Sequence, residues 1–172
     1  AQFETELTSG PLDATRLVVA CPDDDALSVV NIETVALRPL RLRYGARPFG
    51  VLALRDGRVA VSLSGTGEIA IVEDVAGVPT VTRNWPAIED ARALALLPDG
   101  RVVVSRWRSP DTGGELVAID LTTGNRTPIS LAVDPQVASD TEIGGVPSYL
   151  ESLAVSPDGT LLAVAGLQAS LE

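Results

Sequence analysis

Two Asp-Gly turns stand 43 residues apart, and each leads into the same kind of apolar run. Asp56-Gly57 opens residues 58–64, and Asp99-Gly100 opens residues 101–107. An Asp13-Ala14 step, a further 43 residues upstream, leads into residues 15–21. A fourth copy, Asp158-Gly159 into residues 160–167, follows after 59 residues. A period of about 40–50 residues with several strands per copy marks radial β-repetition, a β-propeller. The fold class read here is all-β: a propeller of about three and a half four-stranded antiparallel blades. The repeats lie near 1–44, 45–88, 89–142 and 143–172. Propellers close with about 4–8 blades, so the chain reads as a partial ring, incomplete as a single chain.

The strands follow from the turns. In the second copy, residues 51–54 run up to Asp56-Gly57 and residues 58–64 run back, with Val59, Val61 and Leu63 alternating against smaller neighbours. The loop Gly65-Thr66-Gly67 leads to residues 68–73. The third copy repeats the plan over 94–97, 101–107, 115–121 and 126–133. The first copy offers 16–21, 27–33 and 35–42, and the last only 151–156 and 160–167. Period-2 patterning bounded by Asp-Gly and Thr-Gly is a hairpin signal, and Asp before Gly suits the positive φ angles of tight hairpins. An open half-ring would leave apolar sheet faces bare. The expected remedy is a homo-oligomer, with strands near 151–167 pairing with strands near 26–42, or a larger ring from which the chain is trimmed. The absence of Met and the final Leu171-Glu172 suggest trimming of a longer protein.

Charge narrows the partners. Lys plus Arg is 13 against 23 Asp plus Glu, a net −10. Nucleic acid and anionic membrane surfaces both call for a basic patch, and the one basic cluster, four Arg within residues 38–47, sits on an otherwise acidic body. No apolar run reaches the roughly 18 residues of a membrane helix.

A family resemblance is carried by Pro48-Phe49-Gly50-Val51-Leu52-Ala53-Leu54-Arg55-Asp56-Gly57-Arg58-Val59-Ala60-Val61-Ser62. It resembles the P-x-G-(apolar)4-x-D-G-x-(apolar)n unit of YVTN-type β-propellers, although no Tyr-Val-Thr-Asn tetrapeptide is present. Leu153-Ala154-Val155-Ser156-Pro157-Asp158-Gly159-Thr160 resembles it more closely still. Residues 105–111 and 145–150 are similar in style to exported bacterial propellers of this group. The resemblance implies a parent protein that is exported, to the periplasm or cell surface. Some members of the group are joined to c-type cytochrome modules resembling di-haem peroxidases. Propellers serve as scaffolds, binding surfaces and enzymes alike.

The chain holds no His. That removes a Ser-His-Asp triad, a histidine base, a His-ligated metal and a C-x-x-C-H haem site from its own residues. Cys21 is the lone cysteine and reads as a buried, inert one. No catalytic residue and no cofactor are assigned. Asp23-Asp24-Asp25 has oxygen ligands suited to Ca²⁺ but lacks the spacing of a dedicated loop and reads as a solvated hairpin loop. Asp111 with Glu115, and Asp134, Asp140 and Glu142 in the insertion before the last copy, are the remaining acidic clusters. Asp111 and Asp140 are the candidate cation ligands.

Arg106-Trp107-Arg108 is the most distinctive departure from the repeat. Trp and Arg are enriched at binding hot spots, and Arg stacks on Trp. The alternative is a strand end whose Trp caps the interblade core while its Arg residues pair with nearby acids. Second-to-third strand loops of a propeller share a rim with the connections between blades, which gathers residues 106–114, 45–50, 85–92 and 143–149. Tyr149 thereby joins Arg106, Trp107 and Arg108 as a candidate binding residue. The leading function is a non-catalytic binding or scaffolding segment for an unidentified protein or small molecule. The alternatives are part of a redox or hydrolytic enzyme whose active site lies outside this segment, and a self-assembling half-propeller.

Overall fold

The computed structural model describes residues 15–133 and 145–169. Asp13-Ala14, Asp134, Asp140, Glu142 and Leu171-Glu172 therefore lie outside the described residues.

Thirteen strands are described, and every strand pairing between them is antiparallel. The first sheet is β1 (Arg16–Cys21), β2 (Ala26–Asn31) and β3 (Leu37–Arg41). The second runs β4 (Pro48–Ala53), β5 (Val59–Leu63), β6 (Glu68–Glu73) and β7 (Thr80–Pro86) in order. The third repeats that order with β8 (Ala91–Leu96), β9 (Val102–Arg106), β10 (Gly114–Ile119) and β11 (Arg126–Leu131). The fourth holds β12 (Val146–Val155) and β13 (Leu162–Ala169). This is the blade plan of a propeller, as the period predicts.

Each pair of neighbouring sheets shares an apolar layer. Leu27 and Val29 of the first sheet meet Val59, Val61 and Val72 of the second. Leu52, Ile69 and Ile71 meet Leu94, Val104 and Ile119 of the third. Ala93, Ala95 and Leu116 meet Leu150 and Leu153 of the fourth. The middle strands are buried on both faces: every residue of β5 is buried, and all of β9 but Arg106. That is why Val alternates there with small residues instead of with charged ones.

Two expectations are corrected. The inner strands begin earlier than their patterning suggests, at Pro48 rather than 51, Ala91 rather than 94, and Val146 rather than 151. Each carries a bulge, between Pro48 and Val51, Ala91 and Leu94, and Ser148 and Ser152. A bulge adds residues to one strand only, so the period-2 pattern breaks there. In the Asp-Gly turns only the glycine is left-handed, with φ +83 at Gly57 and +89 at Gly100. The aspartate keeps negative φ and works through its side chain, as an acceptor of the backbone N–H two residues on: Arg58 N at 3.2 Å, Arg101 N at 3.0 Å and Thr160 N at 3.1 Å. These are Asx turns.

The outermost strands guard their open edges. β3 carries Arg38, Pro39 and Arg41; β7 carries Arg83 and Pro86; β11 carries Arg126 and Pro128. Charge and proline on an edge oppose stray strand pairing. They also explain why β7, exposed at most positions, shows no apolar alternation in sequence.

Candidate functional site

The rim predicted from the repeat is built by backbone hydrogen bonds between second-to-third strand loops and the blade connections. Asp25 ends the short 3-10 turn Pro22–Asp24, and its carboxylate accepts Gly45 N–H at 2.7 Å and Arg47 N–H at 2.8 Å. Those amide bonds, Arg47's first, hold its pKa below the ordinary 3.8. Asp25 is thus a strut between loop and connection. In the next blade Ser64 N donates to Arg47 O and Gly65 N to Ala46 O. A Cβ at Gly65 would fall 2.0 Å from Gly45 O, so only glycine permits this approach. Ala87 N then donates to Gly67 O, Trp107 N to Asp90 O, and Leu150 N to Trp107 O.

Beneath the rim runs a continuous chain of hydrogen bonds through three blades. Gly50 N donates to Ser62 Oγ at 2.8 Å, and Ser62 Oγ donates to Arg92 O at 2.6 Å. Ala93 N, the other end of the same peptide group, donates to Ser105 Oγ at 3.0 Å, and Ser105 Oγ donates to Leu150 O at 2.7 Å. Both serines are fully buried. Their hydroxyls satisfy backbone groups that the inner-strand bulges free from the ladder. A Cβ at Gly50 would lie 2.3 Å from Arg92 O, so the first link also needs glycine.

Phe49, Arg92 and Glu151 each stand seven residues before the turn aspartate of their own blade. The shared position brings them into contact. The Arg92 guanidinium carbon lies 3.2 Å from the Phe49 ring centroid and 3.8 Å from that of Trp107, so the cation is sandwiched between two aromatic faces. Its edge meets Glu151 at 3.3 Å, and its side chain is only 12% exposed. Tyr149 sets its ring edge-on to Trp107, with centroids 5.2 Å apart, and is itself 37% exposed. Such cation–π and T-shaped contacts are worth about 0.5–2 kcal/mol each.

Trp107 and Tyr149 are thus in contact, and Trp107 is half-buried. Arg106 is paired twice, bridging Glu115 at 2.7 Å through one terminal nitrogen and Glu89 at 2.8 Å through the other. Arg108 is the cation that faces out: its side chain is 67% exposed and lies 3.6 Å from Asp90. Asp111 is exposed on the same loop, while Asp140 lies outside the described residues. Among the described residues no three His, Cys, Asp or Glu side chains gather where they could hold a metal ion. Cys21 is half-buried rather than buried, with Ser28 Oγ 3.8 Å from its Sγ. Sequence reasoning missed Phe49, Arg92, Glu151 and the two serines. The signal was available in the period itself, since Ser62 and Ser105 also stand 43 residues apart.

The opposite rim holds a cleft of about 360 Å³ between the second and third blades. Asp56 with Arg58 and Asp99 with Arg101 line it, paired at 2.7 and 2.8 Å. The arginine hydrogen bond holds each of these aspartates below the ordinary carboxylate value. With both pairs closed on themselves, this cleft presents little net charge to a ligand.

No family model matches the chain, and no curated protein does. Solved structures do. Virginiamycin B lyase from Staphylococcus aureus superposes with TM-score 0.66 at 12% identity, over 90% of this chain and 46% of that one. Hydrazine synthase from Kuenenia stuttgartiensis gives 0.70 at 21% identity, over 88% and 40%. A putative 6-phosphogluconolactonase from Bacteroides fragilis gives 0.55 at 17%, over 92% and 51%. The chain spans about half the length of the solved structures it matches. At these identities the likeness establishes the propeller fold. The S. aureus lyase is also known as a catalytically inactive histidine-to-alanine variant with quinupristin.

Proposed function

We propose that this chain is a non-catalytic binding or scaffolding segment of an exported bacterial propeller of the YVTN type, with its contact surface on the rim around Trp107. One observation carries the reading: side chains from three successive blades converge there, with Arg92 clamped between Phe49 and Trp107 and with Tyr149 and Arg108 left facing solvent. A rigid aromatic platform with a charged border is the composition of a binding hot spot. Arg106, being paired twice, orders the loop, and Arg108 supplies the charged contact. With no histidine in the sequence, this segment's own groups carry no Ser-His-Asp triad and no histidine base.

The test is photo-crosslinking from a benzoylphenylalanine placed at Tyr149, in the exported fraction of the source cells, with the same probe at Val78 as control. Val78 is 71% exposed in the turn before β7 and lies away from the rim. Discrete adducts from position 149, absent from position 78 and lost with Trp107→Ala, are expected. Equal adducts from both positions, or adducts that persist without Trp107, would defeat the assignment.

A further inference from the structure

The cleft on the rim opposite Trp107 opens where one turn departs from the repeat. Pro98-Asp99-Gly100 and Pro157-Asp158-Gly159 are tight turns, closed by Gly100 N–H on Leu97 C=O at 3.0 Å and by Gly159 N–H on Ser156 C=O at 2.8 Å. Proline stands second in both, the position its fixed φ suits. The turn of the second blade closes in the same way, Gly57 N–H on Leu54 C=O at 3.1 Å, but Arg55 stands where the others have proline. Between the third and fourth blades the Pro98 ring lies against the next turn: a Cβ on Gly159 would fall 2.3 Å from its Cγ. Between the second and third blades a Cβ on Gly100, the equivalent glycine, would meet nothing within 4 Å. The space that proline fills at one blade boundary is open at the other, and Arg55 borders it.

The cleft's spare hydrogen-bonding capacity lies mainly with its donors. Asp56 and Asp99 are committed: in each, Oδ1 accepts the backbone N–H two residues on, and Oδ2 accepts from Arg58 or Arg101. Asp120 accepts the amides of Thr122 and Thr123. Arg58 and Arg101 reach their aspartates through Nε and Nη2, which leaves each Nη1 without a hydrogen bond among the described residues. Arg55 is exposed, and its guanidinium has no hydrogen bond or ion pair among the described residues. Leu54, Leu96 and Leu121 supply apolar lining beside these groups.

We infer that this cleft binds a small carboxylic acid as its anion, the carboxylate held by the Arg55 guanidinium and the hydrocarbon body laid against Leu54, Leu96 and Leu121. The planar guanidinium fork matches a carboxylate two bonds to two. The cleft's volume of about 360 Å³ falls within the range of small-molecule sites, about 300–1,000 Å³. A single negative charge is selected over a phosphate monoester, which carries about −1.5 to −2 at pH 7. Asp56, Asp99 and Asp120 share the walls and repel the additional charge. A cationic ligand finds the Asp56 and Asp99 carboxylates already paired with their own arginines. The site is separate from the rim around Trp107 and stands or falls without it.

The experiment is a titration of the full chain with hexanoate, acetate, hexanamide, hexylamine and hexyl phosphate at fixed ionic strength, read by two-dimensional amide NMR. Hexanoate should shift the Gly100, Leu121 and Thr122 amides and the Arg55 Nε–H saturably. Acetate, which lacks the apolar body, and hexanamide, which lacks the charge, should each bind at least about tenfold more weakly. Arg55→Gln keeps the cleft open without the cation and should weaken hexanoate at least about tenfold. Arg55→Pro restores the residue of the other turns, and no backbone hydrogen bond uses the Arg55 N–H. It should melt no lower than the native chain and bind no hexanoate. Arg41→Gln, on β3 and outside the cleft, should leave binding unchanged. Equal binding of hexanoate and hexanamide would leave an apolar cleft with no anion site. Tighter binding of hexylamine or of hexyl phosphate would reverse the charge argument. Binding that survives Arg55→Gln, or no saturable shift at tens of millimolar hexanoate, would overturn the assignment.

Discussion

Replacing Ser105 by Ala removes a single oxygen atom and should damage this protein far more than the loss of an exposed hydroxyl. The hydroxyl accepts from Ala93 N–H and donates to Leu150 C=O, and it is completely buried. Its removal strands one donor and one acceptor, at about 1–3 kcal/mol for each buried group left unpaired. A loss of roughly 2–4 kcal/mol follows for Ser105→Ala, and the same for Ser62→Ala, which strands Gly50 N–H and Arg92 C=O. For a chain of this length each kcal/mol moves the melting temperature by about 2–4 °C, so a fall of roughly 5–15 °C is expected. The two serines grip opposite ends of one peptide group, so their hydrogen bonds polarise each other. A double-mutant cycle should therefore show coupling of about 0.5 kcal/mol or more. The assay is reversible urea unfolding of wild type, both single variants and the double variant. Ser64→Ala, on the half-buried rim, is the control and should stay within about 0.5 kcal/mol. Either single variant within about 1 kcal/mol of wild type, or a cycle additive within about 0.3 kcal/mol, would refute the chain as a connected structural element.

Three further outcomes follow from the same geometry. Trp107→Ala removes the Arg92 face contact and the Tyr149 edge contact from a half-buried site, so it should cost about 2 kcal/mol of stability, below the 3–5 typical of a core Trp, while partner affinity per folded molecule falls roughly thirtyfold; a larger stability loss with intact affinity would make Trp107 a core residue only. Gly124→Ala should be worse than Gly100→Ala by at least about 1 kcal/mol in urea unfolding: both glycines have positive φ, but only at Gly124 does a new Cβ meet the Trp85 ring, at 2.3 Å, and threaten the Trp85 Nε1 bond to Leu121 O. Equal losses would mean the ring yields freely. Asp25, Asp56, Asp99, Asp120 and Asp158 all have folded pKa values below the unfolded 3.8, chiefly through hydrogen bonds from backbone amides or from Arg58, Arg101 and Ser156. Their contribution is present above that unfolded value and lost progressively as pH falls from it through the lower folded values, so the melting temperature should drop below about pH 4 and, with no histidine to titrate, stay level between about pH 5 and 8; a step within that plateau would contradict the reading.

The propeller was legible because its signals repeat. Asp56-Gly57 and Asp99-Gly100 mark the same hairpin twice, and Val59–Leu63 and Val102–Arg106 carry the apolar run that only a strand buried on both faces tolerates. The contact of Trp107 with Tyr149 was legible too, since a repeat plan says which loops share a rim. What escaped was everything that depends on bulges. Phe49, Arg92 and Glu151 stand at or beside positions where a strand gains extra residues, and there period-2 reasoning loses track of which way a side chain faces. The serines escaped for another reason. A single Ser among Val and Leu reads as a small residue that fits, and nothing local reveals that a bulge beside it has freed two backbone groups that need its hydroxyl.

The serine chain and the aromatic sandwich share one peptide, and this separates what fixes the fold from what the rim displays. Ser62 and Ser105 hold Arg92 through its carbonyl and the following N–H, with no part taken by its side chain. The Cα of Arg92 therefore stays in place whatever side chain it carries. The repeat puts residues 49, 92 and 151 at one height on successive inner strands, so each reaches the next. Here they read aromatic, cation and anion, and each pair attracts. Another combination could sit on the same backbone without disturbing a single link of the chain below. Substitutions at Ser62 and Ser105 should thus register in unfolding free energy, and substitutions at Phe49, Trp107 and Tyr149 mainly in recognition. Arg92 is the position where the two meet: Arg92→Met should keep the hydrogen-bond chain and most of the apolar contact, yet release Glu151 and the cation–π attraction. Unfolding should shift by about 1–2 kcal/mol, the sum of two such attractions at about 0.5 kcal/mol each and a partly exposed ion pair. A shift as large as that of Ser105→Ala would show that the side chain, and not the peptide, carries the load.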